Sequence, residues 1–453
     1  MSALTNDLRL ALLLTRGSDR REWWRVTLTG LGAALATAFG MAAAVLAVLR
    51  GHYRVPLANG LLDNPGERSG VILTLLLLLI PVLGFLGQCA RVGAVHRDRR
   101  LAGLRLAGAS AGQVRRIAAL ETGLACLVGS VVATVFFVLL MVREWPDHPA
   151  LAWVGIVLVA LGVPVLGAVT SVLALRRVVA SPLGWVRRVG PRSGRGSGIV
   201  FLGAVGLLVL VALAAMATTN TNAPGSSYGK APLTVCGALL AVGAGAVLLS
   251  GFVSKVTGRL LAARTGNPAV LIAAERLRDD PWAAARTHAA VLMGTVVGAG
   301  FIGVRQALIA VLDEEQYLAE DRAFYITGLN LTVTAILVGF AITLFALAVG
   351  TAESLSTRRR GLAAQVAAGV PHEVLGRALL LETALPLAPS MLVAGLGGTA
   401  IAVVYASALG GALVLPIGSL LVPFAVYACC LLAAATSLPL LRRTVRPTEL
   451  RYA

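Results

Sequence analysis

Two stretches of the chain combine charge, glycine and leucine at spacings suited to recognition. Residues 97–122 carry Arg97, Arg99, Arg100, Leu101, Leu104, Gly108 and Ser110 and close on Glu121 and Thr122. Residues 358–383 carry Arg358, Arg360, Leu362, Val366, Gly369 and Pro371 and close on Glu382 and Thr383. One offset, 358 − 97 = 261, pairs Arg97 with Arg358, Arg99 with Arg360 and Leu101 with Leu362. It also pairs Gly108 with Gly369, Arg116 with Arg377 and Glu121 with Glu382. A register held over so many positions reads as an internal duplication.

Each stretch predicts a short helix, a break and a second helix, here called an elbow. Leu101 and Leu104 lie three apart, on one helix face; Leu362 and Val366 form the corresponding pair. Gly108 and Gly369 suit the left-handed position that ends a helix. Ser110 with Gln113 three residues on is a capping-box pattern for the next helix. In the second copy, Pro371 at a first-turn position and Glu373 beside it start that helix instead. Glu121 and Glu382 fall at the entrances of long apolar runs, where a carboxylate is costly unless paired. Pairing with arginines of the preceding elbow is the preferred reading, with proton coupling as the alternative.

Other motif matches point to no chemistry. Gly108-Ala-Ser110-Ala-Gly112 has the spacing of a serine-hydrolase elbow, but no strand precedes it and helix capping explains Ser110. Gly298-Ala-Gly300-Phe-Ile-Gly303 imitates a dinucleotide fingerprint within an apolar run; there its glycines, with Gly294, allow close helix packing. Gly225 to Ala231 has the wrong spacing for a P-loop. His52, His96, His148, His288 and His372 stand singly, and no Cys/His spacing suggests a metal site. No catalytic residue is assigned.

The elements that position the elbows follow from composition. Apolar residues make up 57% of the chain and charged residues 13%, about half the charged share of soluble domains. Apolar runs of about 20 residues mark membrane helices. Ten occur, near 26–49, 71–95, 117–142, 151–175, 197–218, 232–254, 288–311, 328–352, 379–406 and 418–440. A β-barrel, with strands of about ten alternating residues, is excluded. The expected fold is an all-α polytopic membrane protein. Residues 1–190 form a first repeat with spans one to four, 191–260 a two-span linker, and 261–453 a second repeat with spans seven to ten. Two added spans keep both repeats in one orientation, as in parallel-repeat transporters related by a pseudo-two-fold axis.

The net charge of +18 comes with a topological pattern that argues against nucleic acid. Arginines crowd before span one and after spans two, four, six, eight and ten, while the alternate loops hold few. This is the positive-inside pattern, with both termini cytoplasmic. The cysteines, Cys89, Cys126, Cys236, Cys429 and Cys430, lie within or at the edge of spans, so no disulfide framework is implied.

The pattern Arg-x-x-x-Leu-x-x-Leu-x-x-x-Gly-Ala-Ser, a Glu opening the next span and a closing Arg-Arg-x-x-x-x-Pro at Arg176 to Pro182 resembles the FtsX-like permease domain. Such domains form the membrane subunits of MacB-type, or type VII, ABC transporters. The resemblance covers about 70–190 and 330–450. Ten spans with two such domains look most like the bacitracin-resistance-type permeases, without their large extracellular domain. Where those families often carry a glutamate before the first leucine, this chain has Arg100 and Gly361.

The resemblance implies that the elbows contact two ABC ATPase subunits at the cytoplasmic face of a bacterial plasma membrane. It gives that coupling role to Arg97, Arg99, Arg100, Leu101, Leu104 and Gly108, and to Arg358, Arg360, Leu362, Val366 and Gly369. A short helix with an apolar pair and arginines suits an acidic groove on a soluble partner. ATP and Mg would be bound by the partner, and no cofactor by this chain. The expected cargo is amphiphilic: an antimicrobial peptide, a lipid or a hydrophobic antibiotic. The alternative is a non-transporting scaffold that passes ATPase motion to a membrane or cell-wall partner; a sensor kinase or an extracytoplasmic binding protein would fit either role.

Overall fold

A computed structural model describes residues 20–49, 55, 60–63, 65–89, 103–145, 148–174, 227–314, 321–408, 416–439 and 441. Among them every regular element is helical. In chain order they are α1 (Arg20–Val48), α2 (Pro65–Cys89), α3 (Ala111–Glu144), α4 (Leu151–Ala174) and α5 (Ser227–Arg264). There follow α6 (Pro268–Asp279), α7 (Trp282–Glu314), α8 (Arg322–Thr357), α9 (Arg359–Ala367), α10 (His372–Ala408) and α11 (Ile417–Ala435). Eight helices among the described residues are long and apolar enough to cross a membrane. They stand at the expected spans one, three, four and six to ten. The expected second span overlaps α2, which begins about six residues before the apolar run; residues 90–95 of that span, and the expected fifth near 197–218, lie outside the described residues. α3, with 34 residues, is about 51 Å long at 1.5 Å per residue, so it outreaches the roughly 30 Å hydrocarbon core.

The chain divides into two compact units. The first comprises residues 1–189 and 320–353, the second 190–319 and 354–453. These differ from the sequence repeats in two ways: nearly all of α8 packs with the first unit, and α5 packs with the second.

Within the first unit α1, α3 and α4 pack on one another and α2 lies along α1. α1 and α3 approach closely at Gly30 and Gly129; a side chain at Gly129 would collide with the Gly30 backbone. Such small-residue contacts suit helices that have no hydrophobic driving force between them in lipid. Ser130 Oγ donates to the Ala160 carbonyl at 2.8 Å, tying α3 to α4. The N-terminal end of α2 is fixed by Arg68, which is 2% exposed. Its guanidinium donates to the carbonyls of Leu62, Leu49 and Asp63 at 2.9–3.0 Å. Its burial is tolerable because three carbonyls accept its protons.

α8 runs parallel to α2. Leu78 and Pro81 pack on Gly339, Phe85 meets Phe345 with ring centroids 5.5 Å apart, and Gln88 reaches Gly350. The separations are 339 − 78 = 261, 345 − 85 = 260 and 350 − 88 = 262. Leu78 and Gly339 are thus matched by the 261-residue offset, Phe85–Phe345 and Gln88–Gly350 fall one residue to either side of it, and Pro81–Gly339 falls three away.

Within the second unit α7, α10 and α11 form the corresponding mutually packed set, and α5 packs on α7 and α10. α7 and α10 meet at Gly300 and Gly398, where an added side chain on Gly398 would strike the Val296 carbonyl. Glycines of the false dinucleotide fingerprint thus serve helix packing, as the sequence led us to expect. Ser419 Oγ donates to the Ala299 carbonyl at 2.6 Å and so joins α11 to α7. α6 lies in the arginine-rich stretch after the expected span six, for which the sequence predicted no element of its own. Asn267 caps it through a bond from the Ala269 N–H, Pro268 opens it, and Ala269, Ala273, Ala274 and Leu277 form its buried face.

Candidate functional site

The two elbows close with the same hydrogen bonds. In the first, a helical turn at residues 103–106 ends as Ala107 N donates to Gly103 O at 2.9 Å, Gly108 N to Arg105 O at 3.1 Å and Ala109 N to Leu104 O at 3.0 Å. In the second, Ala368 N donates to Ala364 O at 2.9 Å, Gly369 N to Val366 O at 2.9 Å and Val370 N to Gln365 O at 3.0 Å. Every donor and acceptor of the second set is its counterpart plus 261. The last two bonds of each set form a Schellman closure, which needs a left-handed residue at its centre. Gly108 has φ 97° and Gly369 φ 92°, a region costly for residues with a Cβ. In the first elbow Arg105 Nη1 adds a bond to the Ala109 carbonyl at 3.0 Å.

The following helices start by different means, as the sequence indicated. Ser110 caps α3 by accepting from Gln113 N at 3.1 Å, and Val114 N donates to Ser110 O at 3.1 Å. In the second copy Leu375 N donates to Pro371 O at 3.3 Å, so Pro371 stands at the cap rather than within the first turn. Glu373 lies in the first turn of α10.

Four expected site residues, Arg97, Arg99, Arg100 and Leu101, lie outside the described residues. The others divide by face. Leu362 is 1% exposed and packs with Leu355, Ala363, Leu375 and Leu441; Val366 and Ile272 pack against the same cluster. The expectation that Leu362 and Val366 present an apolar pair to a partner is therefore corrected. They anchor α9 to its own bundle, because the amphipathic face found its partner within the chain. The strict offset also pairs Leu104 with Gln365 and Val366 with Arg105. The accessible face of the second elbow includes Arg358, Arg360, Gly361, Ala364, Ala367, Ala368, Gly369 and Pro371, continued by Glu373 and Arg377. In the first elbow Leu104 is half-buried, Gly108 is exposed and Leu106 is 72% exposed. Leu106 was missed. It lies two residues from Leu104, and such residues do not share a helix face, a signal available in the sequence.

Both glutamates are paired. Glu382 on α10 accepts from Arg358 Nη1 at 2.8 Å and from Arg276 Nη1 at 3.1 Å. Arg358 belongs to the preceding elbow, as expected; Arg276, from α6, was not foreseen. Glu121 on α3 pairs with Arg25 of α1. The side chains of Arg25 and Glu121 are 5% and 4% exposed, whereas that of Glu382 is 21% exposed. Among the described residues no three His, Cys, Asp or Glu side chains gather as a metal site.

No family model matches the chain, and no curated protein matches it at a significant level.

Proposed function

We propose that the chain is the membrane subunit of an ABC transporter, whose two elbows dock two ATPase subunits that drive movement of an amphiphilic substrate. The observation that carries this reading is the repetition, bond for bond, of one glycine-closed elbow at an offset of 261 residues. Duplication copies the elbow, and its retention after the helix starts diverged at Ser110 and Pro371 supports a repeated external demand, which two matching docking sites for a pair of like subunits would make. The parallel contact of α2 with α8 close to the 261-residue register favours the same reading, because corresponding elements meet where a two-fold axis passes. The basic accessible face of the second elbow, with Arg358, Arg360 and Arg377 against Glu373, suits an acidic groove. Leu106 supplies the apolar anchor of the first elbow. The plasma membrane and the cytoplasmic position of both elbows and both termini belong to this proposal, resting on the placement of arginines.

Burying one leucine is worth about 1.5–3 kcal/mol. Leu106→Asp should therefore weaken association with the ABC ATPase captured by the wild-type chain by roughly one to two orders of magnitude. Insertion and melting should stay unchanged, because the side chain is exposed. Arg143→Ala, at the opposite end of α3 and exposed, serves as the control and should keep full association. Undiminished co-purification and transport by Leu106→Asp would remove the elbow from the docking interface.

A further inference from the structure

Glu382 does more than neutralise one elbow arginine. Its two carboxylate oxygens are divided: Oε1 takes Arg358, the residue that leads into α9, and Oε2 takes Arg276 in the last turn of α6. α6 is held on its other side by α5. A Cβ on Gly258 would stand only 2.9 Å from the Ala274 carbonyl and the Arg278 nitrogen, so the α5 backbone lies directly on α6. Ile272 of α6 also packs against the cluster that holds Leu362. One carboxylate thus sits where the elbow, α6 and α10 converge, and α6 leads on to α5.

We propose that Glu382 is a positioning residue, a latch that makes α6, and α5 behind it, move with the second elbow. That a partner drives this movement rests on the function proposed above; the latch itself is a property of the isolated chain. It would bring a helix from outside the four-span repeat into the path of any force applied at the elbow. The latch is only partly shielded, with Arg358 41%, Glu382 21% and Arg276 18% exposed. Salt should therefore weaken it, as it does other accessible ion pairs.

Hydrogen exchange on the purified chain in nanodiscs, without any ATPase, tests the latch. Glu382→Gln should speed exchange of the amides of both α6 and α9 on the order of tenfold, since hydrogen bonds to charged groups are the stronger ones. Arg276→Gln should loosen α6 alone and Arg358→Gln α9 alone. Exchanging the charges, Arg358→Glu with Glu382→Arg, should restore α9 but not α6, because Arg276 would then face an arginine. Raising salt from about 0.01 M to about 1 M should move the wild-type protein toward the Glu382→Gln pattern and leave that variant unmoved. The single arginine variants keep the test intact should Glu382→Gln fail to fold. The latch is refuted if both helices exchange at the wild-type rate in Glu382→Gln. It is equally refuted if each arginine variant loosens both helices, which marks general destabilisation. Failure here would leave docking at the elbows untouched, and loss of docking with the pattern intact would leave the latch.

Discussion

Leu362→Asp should disrupt the second bundle itself rather than merely release a partner. The side chain is 1% exposed and surrounded by Leu355, Leu375 and Leu441. Removing its burial costs about 1.5–3 kcal/mol. A carboxylate placed among these residues without a cation adds a penalty of several kcal/mol. Together these approach the whole stability of an ordinary domain, about 5–15 kcal/mol. We expect low yield of monodisperse protein and a marked fall in melting temperature. Leu362→Ala should be milder, at about 2–5 kcal/mol. Ala364→Asp, on the exposed face of the same helix, should melt like the wild type. Normal melting of Leu362→Asp would show that α9 is not anchored as described.

The second large effect concerns the buried pair in the first unit. Arg25→Ala takes a buried cation away from the Glu121 carboxylate, in a site where each member of the pair is about nineteen-twentieths buried. Breaking a buried pair from one side typically costs about 3–5 kcal/mol. Replacing both members by apolar residues of similar size often restores stability. The expected order of melting temperatures is therefore wild type near the double variant Arg25→Met with Glu121→Leu, and both well above Arg25→Ala. Glu382→Gln should cost less, because its site is more open to solvent and screening. A double variant no better than Arg25→Ala would mean that the pair serves a role other than charge compensation.

Much of the architecture was legible because membrane helices announce themselves. The eight described spans follow from apolar length alone, and Gly108 and Gly369 marked both helix ends because little else tolerates their φ. What sequence could not supply was direction. Leu362 and Leu106 are both leucines in basic elbows, yet one is core and the other exposed. Periodicity over nine residues cannot tell a face that meets its own bundle from one that meets a partner. Arg25 and Arg276 escaped notice for a related reason. Each lies about a hundred residues from the glutamate it pairs with, and only the packing of α1 on α3 and of α6 on α10 brings them together. α6 itself was obscured because it is short and its helix signals, Asn267-Pro268 and the small residues of its buried face, sit inside a basic connection. The assignment of α8 to the first compact unit was hidden as well, since a duplication shows which residues correspond and not which unit each packs in.

The central claim is that one copy of this chain offers two equivalent docking sites to two ATPase subunits. Native mass spectrometry of the chain purified under mild conditions from its source membranes measures this directly. The predicted mass is one membrane chain with two ATPase subunits, falling to a smaller assembly when Leu106→Asp is combined with reversal of the exposed second-elbow charges Arg360→Glu and Arg377→Glu. A stable assembly of one chain with one ATPase that hydrolyses ATP, or a chain that binds no ATPase at all, would contradict it.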